Sequence, residues 1–318
     1  MRGATLFCSA LFLLTACAPN HIDAELRDLR EAAAKKEYRG DKPKTSWDLG
    51  VYTAETKPLL PCTDLLVVTV RGTGETHDDG NLGRQTAIKL KREIEINNRN
   101  VALRKRLQKL RQERENEANS GQNLESQNLL SNRELTLTEV DLDYPASGDF
   151  GQSVPEGMRK LRDRLNQQAA SCRGQKTVII GYSQGALVAG EVFTPPNQRL
   201  FGARTGELNE NAVAQLQALV MFGNPRFVAN EKYNRGNFDP HKSGILARRP
   251  GVLDPIAEHI VDFCARYDVV CQSGSDSSHD GHFSYYGNGM QKQAVSFVLE
   301  RLNVQLPPKR NRSEDVPI

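Results

Sequence analysis

Residues 181–185 carry the pattern Gly-x-Ser-x-Gly, with Ser183 at its centre. An apolar run over residues 177–180 predicts a strand directly before the pattern, and helical spacing predicts a helix directly after it, over Gln184–Val192. A serine in a sharp turn between a strand and a helix presents its Oγ, and the two glycines let neighbouring backbone approach without a Cβ clash. The pattern therefore indicates Ser183 as a nucleophile.

A serine nucleophile needs a base, and the base needs a carboxylate that orients it. Four histidines follow Ser183 in the chain: His241, His259, His279 and His282. Asp268 follows a predicted strand and lies between Cys264 and Cys271, whose pairing would hold its loop. His279 competes with His282 for the role of base, and a metal site of His279, Asp280 and His282 is an alternative use of these residues. We interpret His241 and His259 as surface or structural histidines.

Apolar runs alternate with helical patterns along most of the chain. Strands are predicted over residues 65–70, 135–144, 177–180, 218–222 and 260–263. Helices are predicted over residues 154–170, 184–192 and 291–302. This alternation predicts an α/β fold, a three-layer α/β/α sandwich around a mainly parallel sheet. Such sheets hold their active sites at the carboxyl ends of the strands.

Residues 88–134 interrupt this rhythm and predict a charged helical insertion. Nine Lys or Arg and four Glu lie between Lys91 and Glu115, and three leucines follow i, i+4, i+7 spacing. We favour a solvated helix here, because the glutamates are interspersed and aromatic residues are absent. The alternative is a basic surface that binds an anionic lipid or an envelope polymer. The insertion follows the turn at residues 71–74. At this place in the chain it could contact the rim of the active site.

The N-terminus predicts export. Residues 1–16 combine Arg2 with a short apolar stretch and end in Leu-Thr-Ala before Cys17, which resembles the bacterial lipobox. We expect a lipoprotein signal over 1–16, a lipid on Cys17 that anchors the chain to a membrane, and a polar tether over 17–57. A plain secretory signal with a chance cysteine is the alternative. The main domain is expected over 58–305, and a disordered tail over 306–318.

The number of cysteines indicates how they are used in the folded protein. With Cys8 in the signal and Cys17 acylated, four cysteines remain: Cys62, Cys172, Cys264 and Cys271. Two disulfides suit an exported chain, although three pairings are possible and a metal site is the alternative.

Hydrophobic residues make up 38% and charged residues 25% of 318 residues, which excludes collagen, a mostly disordered chain and a multispanning membrane protein. A net charge of +3 argues against nucleic-acid binding.

Several motifs in one order together resemble the cutinase family of serine esterases, within the α/β-hydrolase superfamily. They are Arg71-Gly72-Thr73, Gly80-Asn81-Leu82-Gly83, Tyr144-Pro145-Ala146, the Ser183 turn, Phe222-Gly223-Asn224-Pro225, the Cys264–Cys271 loop and His282-Phe283-Ser284-Tyr285. The resemblance covers roughly Cys62 to Leu302 without the insertion. The chain departs from the family in a longer loop between Glu75 and Gly80, in the insertion and in the loop-rich residues 230–253, which all bear on the substrate groove.

The resemblance implies roles for particular residues. It implies Ser183 as nucleophile, His282 as base and Asp268 as the orienting carboxylate. It implies an oxyanion hole from the backbone N–H groups of Gln184 and Thr73, assisted by the Thr73 hydroxyl. It also implies the disulfide pairs Cys62–Cys172 and Cys264–Cys271.

These expectations describe an exported, lipid-anchored serine ester hydrolase of the cell envelope. Its substrate class is an acyl ester, from short soluble esters to lipids or polyesters, and no metal or organic cofactor is required. We expect a monomer. The rival hypotheses are a surface lipoprotein that binds an envelope polymer or a partner through its basic insertion, with the hydrolase fold as a scaffold, and a protease or thioesterase with the same catalytic groups.

Overall fold

A computed structural model describes residues 60–117, 133–202, 204–276 and 280–304 of the chain. The expected signal (1–16), the lipidation site Cys17, the tether (17–57) and the tail (306–318) lie outside the described residues, as does His279.

Within these ranges, six strands form one sheet. They are β1 (Leu65–Val70), β2 (Leu137–Asp141), β3 (Lys176–Tyr182), β4 (Leu216–Phe222), β5 (Asn234–Gly236) and β6 (Ile260–Cys264). Their spatial order is β2-β1-β3-β4-β6-β5, and every neighbouring pair is parallel. The strands therefore share one amino edge, where they begin, and one carboxyl edge, where they end.

Burial along the strands explains why the sequence revealed some of them better than others. All six residues of β1 are buried, because helices cover both faces of the sheet. The edge strand β2 is half-buried throughout, in agreement with its alternating sequence. Strand β5 was not predicted, since its sequence Asn-Arg-Gly contains no apolar residue.

In the described residues, five helices flank the sheet: α1 (Leu82–Glu117), α2 (Phe150–Ser171), α3 (Gln184–Val192), α4 (Glu210–Ala214) and α5 (Met290–Arg301). Helices α1 and α5 pack on one face, where Leu90 and Val298 belong to one apolar core. Helices α2 and α3 pack on the other face, where Leu161 and Val188 belong to a second core. The expected three-layer α/β/α sandwich is confirmed.

Helix α1 corrects the expected start of the insertion. It begins at Leu82 rather than at residue 88, and Leu90, Ile94 and Val101 are buried. The first part of the expected insertion therefore packs on the α/β domain, and the exposed stretch begins after Val101.

The course of α1 also answers whether the described part of the insertion reaches the active-site rim. Its first residue, Leu82, lies near the carboxyl edge, where its N–H bonds to Glu75. Asn98 exchanges two hydrogen bonds with Leu135, which lies two residues before β2 at the amino edge. The 36 residues of α1 span about 54 Å, so the helix continues past the amino edge, away from the rim.

Two disulfides join the four cysteines of the described residues. Cys62 pairs with Cys172, and Cys264 pairs with Cys271. The expected pairing is confirmed, and the metal alternative for these cysteines is wrong, because all four sulfurs are used. Both bonds fit an exported protein. Among the described residues, none of the helices combines the length and apolar character needed to cross a membrane.

Candidate active site

Ser183 lies in the sharp turn between β3 and α3. Its backbone adopts φ 51° and ψ −116°, and its N–H donates to the carbonyl of Phe222 at 2.9 Å. A Cβ on Gly185 would lie 2.0 Å from the Val70 oxygen, and a Cβ on Gly181 would lie 2.6 Å from the Gly185 oxygen. Both flanking positions therefore require glycine, as the sequence pattern predicted.

Three predicted side chains come together at the carboxyl edge of the sheet. The Nε2 atom of His282 lies 2.9 Å from the Oγ of Ser183, and its Nδ1 atom lies 2.9 Å from Oδ1 of Asp268. Asp268 follows β6, and His282 lies in a short 3-10 helix over Gly281–Tyr286. All three residues are buried, with at most 1% of their surface exposed. A hydroxyl, an imidazole and a carboxylate in this order can transfer a proton away from the hydroxyl.

His282 and several hydrogen-bond donors favour the charged form of the Asp268 carboxylate. Oδ2 accepts the Tyr285 hydroxyl at 2.5 Å, and Oδ1 accepts the Val270 N–H at 2.9 Å. Burial disfavours the charged form, but the adjacent His282 and these donors outweigh burial and hold the pKa of Asp268 below its ordinary value. A carboxylate that stays charged at neutral pH can orient the imidazole and stabilise its protonated form.

The imidazole of His282 is held from two further sides. The Tyr182 ring stacks on it at 5.0 Å between ring centroids, and the Tyr182 hydroxyl donates to the His282 carbonyl at 2.8 Å. On another side lies Gly223, whose φ is +57° and where a Cβ would lie 2.8 Å from Cε1 of His282. Only a glycine at this position leaves room for the ring.

Thr73 and Gln184, the predicted oxyanion residues, are joined by a hydrogen bond. Nε2 of Gln184 donates to the Thr73 hydroxyl oxygen at 3.1 Å and to the Ser147 carbonyl at 2.9 Å. The Gln184 amide oxygen accepts the Ser153 hydroxyl at 2.7 Å. Gln184 is thus anchored on Ser147 and Ser153 and contacts the turn that carries Thr73.

Glu75 holds the turn that carries Thr73, and the sequence analysis assigned it no role. Its carboxylate accepts the N–H of Gly72 at 2.6 Å and that of Leu82 at 2.9 Å. It also accepts the Tyr286 hydroxyl at 2.5 Å. Burial raises the pKa of Glu75 even though these donors favour its charged form. A lone acidic residue in a polar loop offers no sequence signal for this role.

The sequence analysis also missed two buried carboxylates, one in β6 and one in α3. Asp262 in β6 is fully buried, and its Oδ2 accepts Nδ2 of Asn224 at 2.7 Å. Burial raises the pKa of Asp262 to about 7. On the α3 side, the buried Glu191 accepts Nε of Arg226 at 3.0 Å. The signal for Asp262 was available, because a carboxylate interrupts an otherwise apolar predicted strand.

The remaining predicted histidines lie apart from these groups. His241 is exposed, and the half-buried His259 places Nδ1 3.3 Å from the Gln217 carbonyl. Both agree with the expectation of surface or structural roles. Within the described ranges, no three His, Cys, Asp or Glu side chains are grouped as a metal site requires.

Comparison with known proteins identifies the family. A family model described as Cutinase matches residues 108–302. Over 178 residues the chain is 29% identical to acetylxylan esterase 2 of Talaromyces purpureogenus, covering 52% of this chain and 73% of the relative. Over 163 residues it is 30% identical to phospholipase Culp4 of Mycobacterium tuberculosis (strain ATCC 25618 / H37Rv), covering 51% of this chain and 62% of the relative.

The fold has a counterpart among solved structures. An acetylxylan esterase structure superposes with a TM-score of 0.52 at 23% identity, over 76% of this chain and all of that chain. This similarity supports the fold, and the family match extends over most of the domain that carries Ser183, Asp268 and His282. The chain belongs to the cutinase family of serine ester hydrolases.

Proposed function

We propose that the protein is an exported, lipid-anchored carboxylic ester hydrolase in which Ser183, His282 and Asp268 act as a catalytic triad. The observation that carries this proposal is the unbroken hydrogen-bonded path from Ser183 Oγ through the imidazole to Asp268, with both contacts at 2.9 Å. The tight backbone turn at Ser183 and the burial of Asp268 support the same roles.

The chemistry follows from this path. Ser183 Oγ attacks the ester carbonyl carbon while its proton passes to Nε2 of His282, and a tetrahedral oxyanion forms. The oxyanion is stabilised by the N–H groups of Gln184 and Thr73, with the Thr73 hydroxyl as a further donor. Collapse breaks the bond to the alcohol, which takes the proton from His282. Water then attacks the acyl-enzyme with His282 again as base and releases the acid.

The proposed substrate class is an acyl ester. One relative is named an acetylxylan esterase and another a phospholipase, so relatives of this chain act on esters at a polysaccharide and in a lipid. The chain's own long loop after Glu75 and the loop-rich region 230–253 shape its groove. We therefore propose ester hydrolysis as the activity and leave chain length to the experiment.

Export and anchoring form the second part of the proposal. Residues 1–16 act as the signal, Cys17 takes the lipid, 17–57 tether the domain of residues 58–305, and 306–318 form a tail. The two disulfides support an extracytoplasmic location. Replacing Cys17 with serine should abolish incorporation of radiolabelled palmitate and move the protein from the detergent phase to the aqueous phase.

The test of the activity uses the full chain and p-nitrophenyl esters from acetate to palmitate. Ser183→Ala should lower kcat/KM by about 1,000-fold or more at unchanged melting temperature, because no other group supplies the nucleophile. Ser171→Ala, at an exposed position at the end of α2, is the matched control and should retain wild-type rates. A Ser183→Ala variant that keeps more than a tenth of the activity would contradict the triad.

A further inference from the structure

The outer part of α1 carries an exposed apolar stripe. Leu103, Leu107 and Leu110 are 55%, 48% and 48% exposed, and their i, i+4, i+7 spacing places them along one side of the helix. Isolated exposed leucines are common on protein surfaces, but three in one row form a continuous patch. Such a patch indicates an interaction surface.

This stripe is not a continuation of the domain core. The core-facing side of α1 is marked by Leu90, Ile94 and Val101, all buried. At about 100° per residue, the three leucines point about 150° away from that side. The face of the outer helix that continues the core-facing side is polar, with Lys105 and Gln108. The leucines therefore face away from the domain.

Charge surrounds the stripe on both sides. Arg104 and Arg106 flank it, and no carboxylate lies three or four positions from either of them in the helix. Residues 101–114 contain six Lys or Arg and one Glu, a net charge of +5. Two nearby carboxylates pair with lysines rather than with these arginines. Lys105 lies 3.5 Å from Glu134, and Lys109 lies 3.9 Å from Glu113.

Leucines bordered by arginines match the surface of an anionic bilayer, which offers acyl chains beneath negative headgroups. A polymer without apolar groups would leave the leucines in water. A second copy packed on the same stripe would bring two sets of arginines together. Charge complementarity therefore favours a lipid surface over both.

The stripe and the first described residues of the chain lie toward the same edge of the sheet. Leu60, the first described residue, bonds to Gln168 near the end of α2, and Cys62 is joined to Cys172 just before β3. Both contacts lie at the amino edge of the sheet, where α1 also leaves the domain. Ser183 lies at the opposite, carboxyl edge.

We propose that Leu103, Leu107 and Leu110, with Arg104 and Arg106, dock on the anionic surface of the membrane to which Cys17 is anchored. Two contacts at the amino edge hold the carboxyl edge away from that membrane. The enzyme then acts on esters outside its own bilayer rather than on the lipids it is anchored in. The identity of the membrane rests on the proposed anchor, whereas the lipid affinity of the helix does not.

The test places an environment-sensitive fluorophore, nitrobenzoxadiazole, on Leu107→Cys of the full acylated chain. The introduced cysteine is the one available thiol in the processed chain, because Cys17 is acylated there and the other four are in disulfides. With excess vesicles of phosphatidylcholine and phosphatidylglycerol, emission should shift to the blue and rise about twofold. The same label on Gln112→Cys, on the opposite face of the helix, should not respond.

The charge requirement is tested on the labelled protein. Arg104→Gln combined with Arg106→Gln should abolish the response, and vesicles of phosphatidylcholine alone should give none. An equal response to both vesicle types overturns the proposal, as does no response to either. A blue shift without vesicles also overturns the proposal. If this shift increases with protein concentration, a second copy of the protein covers the leucines. If the shift does not depend on protein concentration, another part of the same chain covers them.

Flotation of the vesicles after a high-salt wash reports the anchor separately. Protein that no longer floats contradicts acylation at Cys17, while the fluorescence at excess lipid still reports the helix. Hydrolysis of a fluorogenic phospholipid incorporated in the same vesicles tests the orientation. Slow turnover there, with rapid turnover of a soluble ester, is the expected result, and rapid turnover of both overturns the orientation.

Discussion

The hydroxyl of Tyr286 donates to Oε1 of Glu75 at 2.5 Å, joining residues 211 positions apart. The same carboxylate accepts the N–H groups of Gly72 and Leu82. One side chain thus connects the turn that carries Thr73, the start of α1 and the segment that carries His282. Glu75 is a positioning residue, since it has no contact with the Ser183 hydroxyl.

Removing the Glu75 contacts should affect catalysis more than binding. In Glu75→Gln an amide N–H replaces one acceptor oxygen, so at least one of the three donors loses its partner. We expect kcat to fall by about 10- to 100-fold with KM nearly unchanged, because a small displacement of the proposed oxyanion donors would be costly. Tyr286→Phe should show a smaller fall of the same kind. Steady-state kinetics on a short ester measure both.

The matched control for Glu75 is Glu258→Gln, which removes an exposed carboxylate paired with Lys232. It should leave kcat and KM unchanged. If Glu75→Gln raises KM and leaves kcat unchanged, or if its loss of rate follows only the loss of folded protein, the positioning role is wrong.

The two disulfides should separate stability from activity. Cys62–Cys172 closes a segment with sequence separation 110, and the loop-entropy relation assigns it about 4.7 kcal/mol of stability. Cys264–Cys271 has separation 7 and is assigned about 2.4 kcal/mol, but it encloses Asp268. Serine at both positions of the long bridge should lower the melting temperature further. Serine at both positions of the short bridge should lower kcat further.

Thermal unfolding and kcat at a temperature where both double variants are folded provide the comparison. Equal kcat values for the two variants would show that the short bridge does not hold Asp268 in its working position. Thermal unfolding and kcat of wild-type protein treated with a mild reductant are measured alongside as the reference for both variants.

Because its pKa is raised in the folded state, Asp262 should make the free energy of unfolding decrease as pH rises. Burial raises its pKa from 3.8 in the unfolded chain to about 7 in the folded protein. The folded state therefore holds a proton that the unfolded state has already lost, so its contribution is full below about pH 4 and declines until about pH 7. The decline is on the order of a few kcal/mol. Urea unfolding of wild type and Asp262→Asn from pH 4.5 to 8 measures the difference.

In Asp262→Asn this part of the pH dependence should be absent. Other carboxyl groups with raised pKa, such as Glu75 and Glu139, act in the same direction, so the wild-type minus variant difference isolates Asp262. Asp254→Asn, at an exposed position, should retain the wild-type slope. Parallel curves for wild type and Asp262→Asn would show that Asp262 ionises in the fold without cost.

Gly185 should not tolerate alanine. A Cβ there would lie 2.0 Å from the Val70 oxygen and 2.6 Å from the Arg71 oxygen, and backbone cannot move aside as a side chain can. We expect a loss of about 3 kcal/mol or more together with a loss of activity. Gly174→Ala, where a Cβ meets nothing within 4 Å, should be neutral. Chemical unfolding of both variants compares them, and a fully stable Gly185→Ala protein would contradict the close approach.

Features with a local cause could be predicted from sequence. Buried strands β1, β3 and β4 are continuous apolar runs because both faces of the sheet are covered, and α2 and α5 show helical spacing because one side faces the sheet. The bounds of α3 agree with the prediction, since the glycine pattern marks where the strand turns into the helix. Ser183, Asp268 and His282 also stand in known motifs, so the sequence indicated them as candidate site residues.

Features that depend on distant partners were decided by the tertiary structure alone. Strand β5 is held by pairing with β6, and nothing in its own three residues predicts a strand. Glu75 acquires its role from Tyr286, and Asp262 its raised pKa from the core that encloses it. The direction of α1 decides that its exposed leucines lie far from Ser183. A sequence records periodicity and residue type, whereas contacts between remote segments and the desolvation of a charge arise only when the chain is folded.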